Sequence, residues 1–588
     1  MSLFTQIPYH LETLIRNIDS GILALPEIQR PFVWENAKVR DLLDSMYRGY
    51  PVGALLFWLT SENPPVKRGI GQNSQQTVPH SLIVDGQQRL TGLYAVIKGV
   101  PVLRNNYEYE RIRIAFNPLT GEFMVPDAST PKDPAFIADI SEIWSPDADL
   151  FSIVPDYMAR YRAARGENSL APEDEKDVKE ALKRLHALPN TYTFTVLQLV
   201  PQMTEEEVSQ VFVRVNSTGK RLNQADFILT LMSVYWDEGR HNLERFARES
   251  RIPPPSGQKS PFNFQFRPEP DHLLRVGVAL AFRRARLQHV YSVLRGKDME
   301  TDKFSDERRE EQFAKLQAAQ AEVLNSAHWF EFLACLMQAG YRREELIISG
   351  MAAIYSYAFF LLGKCVYTVP QPILRKAIAR WFFASALTAR YSSSPETVME
   401  KDMAALRDVT TAQKFADYLE NQMALTLTTD YWNITLPGNM ASSAARSPEL
   451  AAYFAALNLL DARVLFSKVK VSELMDPGLQ PRRSLLERHH LFPKAHLKKI
   501  GFGTTRQTNQ IANMALLEWP QNIHIKDDAP GDYFPRIMGN GAFTEQEWQN
   551  FARWHALPEA WETMDYDAFL PARRKLMAQV IRDGFEKI

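Results

Sequence analysis

Near the end of the chain, Glu487-Arg488-His489-His490-Leu491-Phe492-Pro493-Lys494 is followed by Asn513 and then by Asn522-Ile523-His524. These side chains can hold a divalent ion and move a proton. One imidazole coordinates the metal while its neighbour takes a proton from water. Four of the twelve histidines, His489, His490, His496 and His524, fall in this short stretch. Between 481 and 506 stand Arg482, Arg483, Arg488, Lys494, Lys498, Lys499 and Arg506 against a single acid, Glu487. In a chain of net charge −1, that local concentration is what a phosphodiester substrate needs. The spacing predicts a hairpin and then a helix. His489-His490 would lie on the first strand, Asn513 after a loop and before the apolar run Met514-Ala515-Leu516-Leu517, and Asn522 to Lys526 at the helix start. A bare pair of surface histidines is common. The two asparagines and the basic collar favour a metal-dependent nuclease centre.

A second stretch with chemical potential is Leu82-Ile83-Val84-Asp85-Gly86-Gln87-Gln88-Arg89-Leu90. Three apolar residues predict a short buried strand, Asp85-Gly86 a turn, and Leu90, Leu93, Tyr94 and Ile97 the inner face of a helix. Gln87, Gln88 and Arg89 then surround a helix N-terminus, whose backbone N–H groups and dipole suit phosphate. Asp85 could hold a metal and Arg89 could pair phosphate oxygens through two bonds. A structural turn with a solvated arginine fits the same residues equally well. Gln29-Arg30, between Pro26 and Pro31, and the loop Arg214 to Leu222 with Asn216 add polar groups of the same kind. No G-x-x-x-x-G-K-[ST] loop occurs, which excludes a conventional P-loop NTPase.

The elements that must position these residues follow from composition and periodicity. A chain of 588 residues exceeds one core, and 45% hydrophobic with 23% charged residues is ordinary for globular domains. Cys335 and Cys365 are the two cysteines, too few for a disulfide framework or a cysteine-rich zinc site. They fit a reducing compartment, and the first residues do not read as a signal peptide, so a cytoplasmic location is expected. The apolar run Leu346 to Gly363 is diluted by Ser349, Gly350, Tyr355, Ser356 and Tyr357, and reads as a buried helix rather than a membrane span. Leu11, Leu14, Ile15 and Ile18 predict one helix, and Val39, Leu42, Leu43 and Met46 another. Arg111 to Phe116 and Thr191 to Val196 alternate as half-exposed strands do. Residues 163–180 read as a solvated excursion. Ile252-Pro253-Pro254-Pro255 to Pro261 reads as a linker, and 270–470 as almost wholly helical. The boundaries expected are 1–250, 251–370 as linker and helical spacer, and 371–588 with a nuclease core at 481–535.

Gln29-Arg30-Pro31, Asp85-Gly86-Gln87-Gln88-Arg89, and Phe212, Asn216, Gly219, Leu222 and Asp226 at their spacing resemble the ParB-like, GmrS-type domain. The C-terminal pattern, a His-Leu-x-Pro string followed by two asparagines, resembles the HNH (ββα-metal) GmrD-type nuclease domain. Together they resemble the GmrSD-type (BrxU-like) type IV restriction endonucleases. The resemblance implies a multidomain α+β fold: a mixed α/β N-terminal domain, a helical middle, and a helical C-terminal domain with a ββα-metal motif. It implies nucleotide contacts at Asp85, Gly86, Gln87, Gln88, Arg89, Gln29, Arg30 and Asn216. His490 would be the general base, and Asn513 would fix the loop that carries it. His489 with Asn522 or His524 would hold Mg²⁺ or Mn²⁺, although the family usually has an acid where His489 stands. Arg488, Lys494, Lys498 and Lys499 would meet DNA. The activity implied is cleavage of phage double-stranded DNA with modified cytosine, gated by a nucleoside triphosphate. One metal cuts one strand, so double-strand cleavage needs a homodimer or two nicks. A phosphorothioate-sensing nickase of the same plan, and a nucleotide-regulated DNA-binding protein with a decayed nuclease site, are the alternatives left open.

Overall fold

The computed structural model describes residues 3–24, 32–59, 81–104, 108–146, 148–166, 169–203, 207, 208, 211, 224–255, 258–298, 305–479, 486–518, 527–539 and 543–588. The chain forms two compact units, Met1–Tyr235 and Trp236–Ile588.

The first unit is built on a five-stranded mixed sheet. Strand Phe4–His10 pairs antiparallel with Thr193–Leu199, which pairs parallel with Leu55–Leu59. Leu55–Leu59 pairs antiparallel with Ser81–Asp85, and Leu23–Ala24 adds a short parallel edge to it. The uninterrupted apolar sequence Leu-Leu-Phe-Trp-Leu at 55–59 belongs to a strand covered on both faces. Leu55 and Phe57 join the main core, whereas Leu56 packs with Leu199, Met203 and Val208. Helices Leu11–Asp19, Asn36–Tyr47 and Gln87–Lys98 bury the stripes expected of them, Leu14 and Ile18, Leu43 and Met46, and Leu90 and Leu93. Truncating one of these fully buried leucines to alanine costs about 2–5 kcal/mol.

Two expectations differ from what this unit shows. Arg111 to Phe116 is not one strand: Tyr109–Arg111 and Ala115–Asn117 belong to separate hairpins. Between them Ile112 and Ile114 are buried, while Arg111 and Arg113 both reach Asp139, at 3.1 and 3.9 Å. The acidic run in 163–180 is largely the start of a helix, Pro172–Thr191, rather than a solvated loop. Glu173, Asp174 and Glu175 occupy its first turn, where the helix dipole favours negative charge. Val178, Leu182, Leu185 and Leu188 then enter the core.

The second unit is mainly helical. Helix Gly350–Leu361 is buried almost throughout, and no described helix is long and apolar enough to cross a membrane. Helices Pro448–Leu459 and Tyr566–Lys587 touch backbone to backbone at Gly584, where an added Cβ would lie 2.6 Å from Ala456 Cβ. The proline-rich run lies inside this unit, and the described part of it is held against helix Asp237–Glu249. Ser260 Oγ donates to the Glu249 carbonyl at 3.1 Å, and Asn263 N to the Ser250 carbonyl at 3.3 Å. Arg251 donates to the Ala247 and Pro268 carbonyls at 2.7 and 3.1 Å. The compact units part after Tyr235, where the sequence suggests boundaries at 250 and 370. Prolines with satisfied neighbours make a packed corner, where sequence alone suggests a spacer.

Candidate functional site

In the second unit, strands Leu486–His490 and Met514–Glu518 form an antiparallel hairpin with His489 opposite Ala515 and His490 opposite Met514. His490 ends its strand, and the chain turns away through Leu491-Phe492-Pro493 into the short helix Lys494–Lys499. Asn513 fixes that turn. Its side chain is fully buried; Oδ1 accepts from Phe492 N at 2.8 Å, and Nδ2 donates to the carbonyls of Phe492 and Thr508 at 3.0 and 3.1 Å. The Leu491 N–H donates to the Asn513 carbonyl at 2.8 Å, and Tyr533 Oη donates to the Leu491 carbonyl at 2.7 Å. Beneath lies a cluster of Leu491, Phe492, Leu497, Leu517, Tyr533, Trp561, Tyr566 and Phe569.

Arg573 supports the same loop from below. It is fully buried, and it donates to the Ala512 carbonyl at 2.7 Å and to the His555 carbonyl at 3.1 and 3.2 Å. No carboxylate among the described residues pairs with it, and burial lowers its pKa. Carbonyl dipoles take the role that a counter-ion usually has. His555, also fully buried, donates its Nε2–H to the Arg463 carbonyl, 2.9 Å away, and closes the arrangement.

His490 is half-buried, with Nε2 3.0 Å from Asn509 Oδ1. A carboxamide oxygen only accepts, so Nε2 carries the hydrogen and the lone pair of the neutral ring lies on Nδ1. Burial lowers the His490 pKa and the nearby Lys494 lowers it further, while the Asn509 bond raises it. The balance keeps the ring neutral, the state a general base requires. His489 is 9% exposed on the same strand.

The basic collar divides in two. Lys494, Lys498, Lys499 and Arg506 are exposed, and no carboxylate among the described residues pairs with them. Arg488 is tied down: it donates to the Ala445 carbonyl at 2.6 Å, and its guanidinium lies 5.7 Å from the centre of the Phe454 ring. Of the proposed metal ligands, His489 is described, whereas Asn522 and His524 lie outside the described residues. A buried imidazole with an amide or a second imidazole is a neutral donor set. It suits Mn²⁺ at least as well as Mg²⁺, which prefers carboxylate and water oxygen.

The first unit brings Asp85, Gly86, Gln87, Gln88 and Arg89 to the end of strand Ser81–Asp85 and the start of helix Gln87–Lys98. Gly86 has φ +98° and an added Cβ would lie 2.2 Å from Leu55 Cδ2, so only glycine fits. Arg89 faces inward across the turn. It donates to the Val52 and Ala54 carbonyls at 2.8 and 2.9 Å and pairs with Asp85 at 3.0 Å. Gln88 Oε1 accepts from Val33 N at 2.9 Å, and Gln87 Nε2 donates to the Ile83 carbonyl at 3.4 Å. These side chains thus stitch the turn to the 32–34 and 52–54 segments. Gly86 gives the helix no side-chain cap, which leaves the N-terminus to backbone N–H groups. Gln29, Arg30 and Asn216 lie outside the described residues.

Asn509 and Arg573 are the positioning residues that sequence reasoning did not single out. Asn509 precedes Asn513 by four residues, and that repeat of amides was the available signal. Nothing in the local pattern around Arg573 distinguishes it from an exposed helical arginine.

Residues 11–233, nearly all of the first compact unit, match the family model for the N-terminal domain of the GmrSD restriction endonuclease. The chain is also 22% identical over 603 aligned residues to an uncharacterized protein of Methanocaldococcus jannaschii, covering 92% of this chain and 89% of that one. The first unit is thus similar to a GmrSD N-terminal domain, and the match supports a relationship to restriction endonucleases of that type.

Proposed function

We propose that this chain is a metal-dependent DNA endonuclease of the GmrSD type, acting in the cytoplasm against phage DNA that carries hydroxymethylated or glucosylated cytosine. The observation that carries the reading is the family match over residues 11–233. The first unit would bind a nucleoside triphosphate at the Asp85–Arg89 turn, where a glycine-started helix offers backbone N–H groups to phosphate. The second unit would cut, as an HNH-type centre on the 486–518 hairpin.

In this mechanism neutral His490 accepts a proton at Nδ1 from the attacking water. The water oxygen bonds to phosphorus, the bond from phosphorus to the leaving sugar oxygen breaks as that oxygen takes a proton from solvent water, and the imidazolium then returns its proton to solvent. Asn509 holds the ring by its Nε2–H. Asn513 holds the turn that follows the base. His489 with Asn522 or His524 would hold the divalent ion, which when bound neutralises charge on the leaving oxygen. Lys494, Lys498 and Lys499 would meet the phosphates. A homodimer would place two such centres on opposite strands.

The test uses the purified full chain with Mn²⁺ or Mg²⁺, with and without ATP or GTP, on unmodified plasmid and on hydroxymethylated, glucosylated and phosphorothioated DNA. Cutting confined to hydroxymethylated or glucosylated DNA, and dependent on nucleotide, supports the reading. Equal cutting of every substrate without nucleotide contradicts both the gating and the modification dependence.

A further inference from the structure

Far from the hairpin in sequence, Glu322, His328 and Cys365 converge from three elements of the second unit. Glu322 is in the last turn of helix Asp306–Val323, His328 in the first turn of helix Ser326–Gln338, and Cys365 in the π-turn Leu362–Val366. His328 Nδ1 lies 3.2 Å from Glu322 Oε2, and Cys365 Sγ lies 3.7 Å from the same oxygen. All three donor atoms fall within 4.8 Å of one another. A tetrahedral zinc ion with bonds of about 2.0–2.3 Å has donor-to-donor edges of about 3.3–3.7 Å. Two of the three edges already match.

The positions are built rather than accidental neighbours on a mobile surface. Asn325 Oδ1 caps the second helix by accepting from Ala327 N at 2.9 Å, which sets His328 in its first turn. Buried Tyr357 donates to the Val323 carbonyl at 2.8 Å and fixes the end of the Glu322 helix. The π-turn closes through Tyr367 N to the Leu362 carbonyl at 3.0 Å. Gly363 packs it so tightly that an added Cβ would lie 2.4 Å from Leu374 Cδ1. π-turns recur at functional sites because the extra residue redirects a side chain. The neighbouring cation does not serve Glu322, since Lys364 Nζ is 2.7 Å from Glu331 Oε2. His328 is largely buried, whereas Cys365 is exposed and open to an incoming ion. Without an ion, His328 Nδ1 also lies 3.3 Å from the Glu322 carbonyl, so coordination would displace the ring hydrogen that serves this contact.

We infer that Glu322, His328 and Cys365 form a binding site for a divalent transition ion, zinc foremost, with one oxygen, one nitrogen and one sulfur donor. Thiolate and imidazole select borderline ions over Mg²⁺ or Ca²⁺. The fourth vertex faces solvent and takes water. Such an ion ties the junction of two helices to the π-turn. The site is separate from the metal proposed at His489 and stands whether or not the nuclease reading holds.

Cobalt(II) titration of the full-length metal-free protein tests it, because only a sulfur-ligated cobalt gives an intense thiolate-to-metal charge-transfer band. Wild type and His490→Ala should both develop the band, and zinc should abolish it by displacement. Cys365→Ser, an isosteric change at an exposed position, should remove it entirely, and His328→Ala should weaken or remove it. Zinc should raise the Tm of wild type and not that of Glu322→Gln. No band in wild type, or a band that persists in Cys365→Ser, overturns the site.

Discussion

His490 Nε2 lies 3.0 Å from the Oδ1 of Asn509, so a half-buried imidazole is oriented by an amide that accepts its one hydrogen. Burial and Lys494 hold the His490 pKa below the usual imidazole range. With His490 as the proposed base, which must be neutral, cleavage should be flat at neutral pH and fall only as pH drops through that lowered value. Asn509→Ala removes the contact that raises the pKa, so the acid limb should move to still lower pH while kcat falls through lost orientation. A pH–rate profile of the two proteins checks this. An unchanged acid limb with unchanged kcat would mean that Asn509 does not act on the base.

Asn513 binds backbone groups through both ends of its side chain and is fully buried. Asn513→Ala should cost about 2–4 kcal/mol by leaving buried polar groups without partners. Asn513→Asp should be at least as damaging, because a carboxylate would face the Phe492 and Thr508 carbonyls that now accept from Nδ2. Urea unfolding measures both. Near-wild-type stability for the aspartate variant would contradict the clamp.

His555 makes stability depend on acid. Burial first, with Arg573 adding to it against the Arg463 carbonyl contact, lowers its pKa from 6.5 to about 4. The unfolded chain binds this proton more readily, so the contribution is full above the unfolded pKa and is lost as pH falls towards about 4. The amount is on the order of 3 kcal/mol. His555→Gln, which can still donate to the Arg463 carbonyl, should be less stable at neutral pH and show a flatter decline between pH 6.5 and 4. Tm measured across that window decides it.

Lys498 and Lys499 are exposed on the helix that follows His490. Their joint replacement by alanine should leave Tm unchanged and weaken DNA binding. The slope of log affinity against log salt should decrease by about 2 if both meet phosphate. Fluorescence anisotropy over a salt series reads this directly. An unchanged slope would move the DNA path elsewhere.

Sequence exposed the parts governed by local rules and hid those governed by packing. The stripes Leu14-Ile18 and Leu90-Leu93, the strand at 81–85 and the hairpin carrying His489-His490 were legible because periodicity and turn residues report them. The acids at 173–175 looked like a loop because charge does not separate a helix start from solvent. Pro253 to Pro255 looked like a spacer because the bonds that pin this corner are made by Arg251, Ser260 and Asn263 on either side of it, which proline content does not report. Arg89 read equally as a phosphate ligand or as a structural arginine, and its bonds to Val52 and Ala54 come from a segment 35 to 37 positions away. Buried Arg573 was invisible for the same reason.

The most direct measurement is cleavage by His490→Ala, with His489→Ala beside it, on modified DNA with nucleotide and Mn²⁺. Loss of a general base should lower the cutting rate by about 10²–10⁴-fold while Tm and DNA affinity stay near wild type. If His490→Ala cuts as fast as wild type, the hairpin is not the nuclease centre.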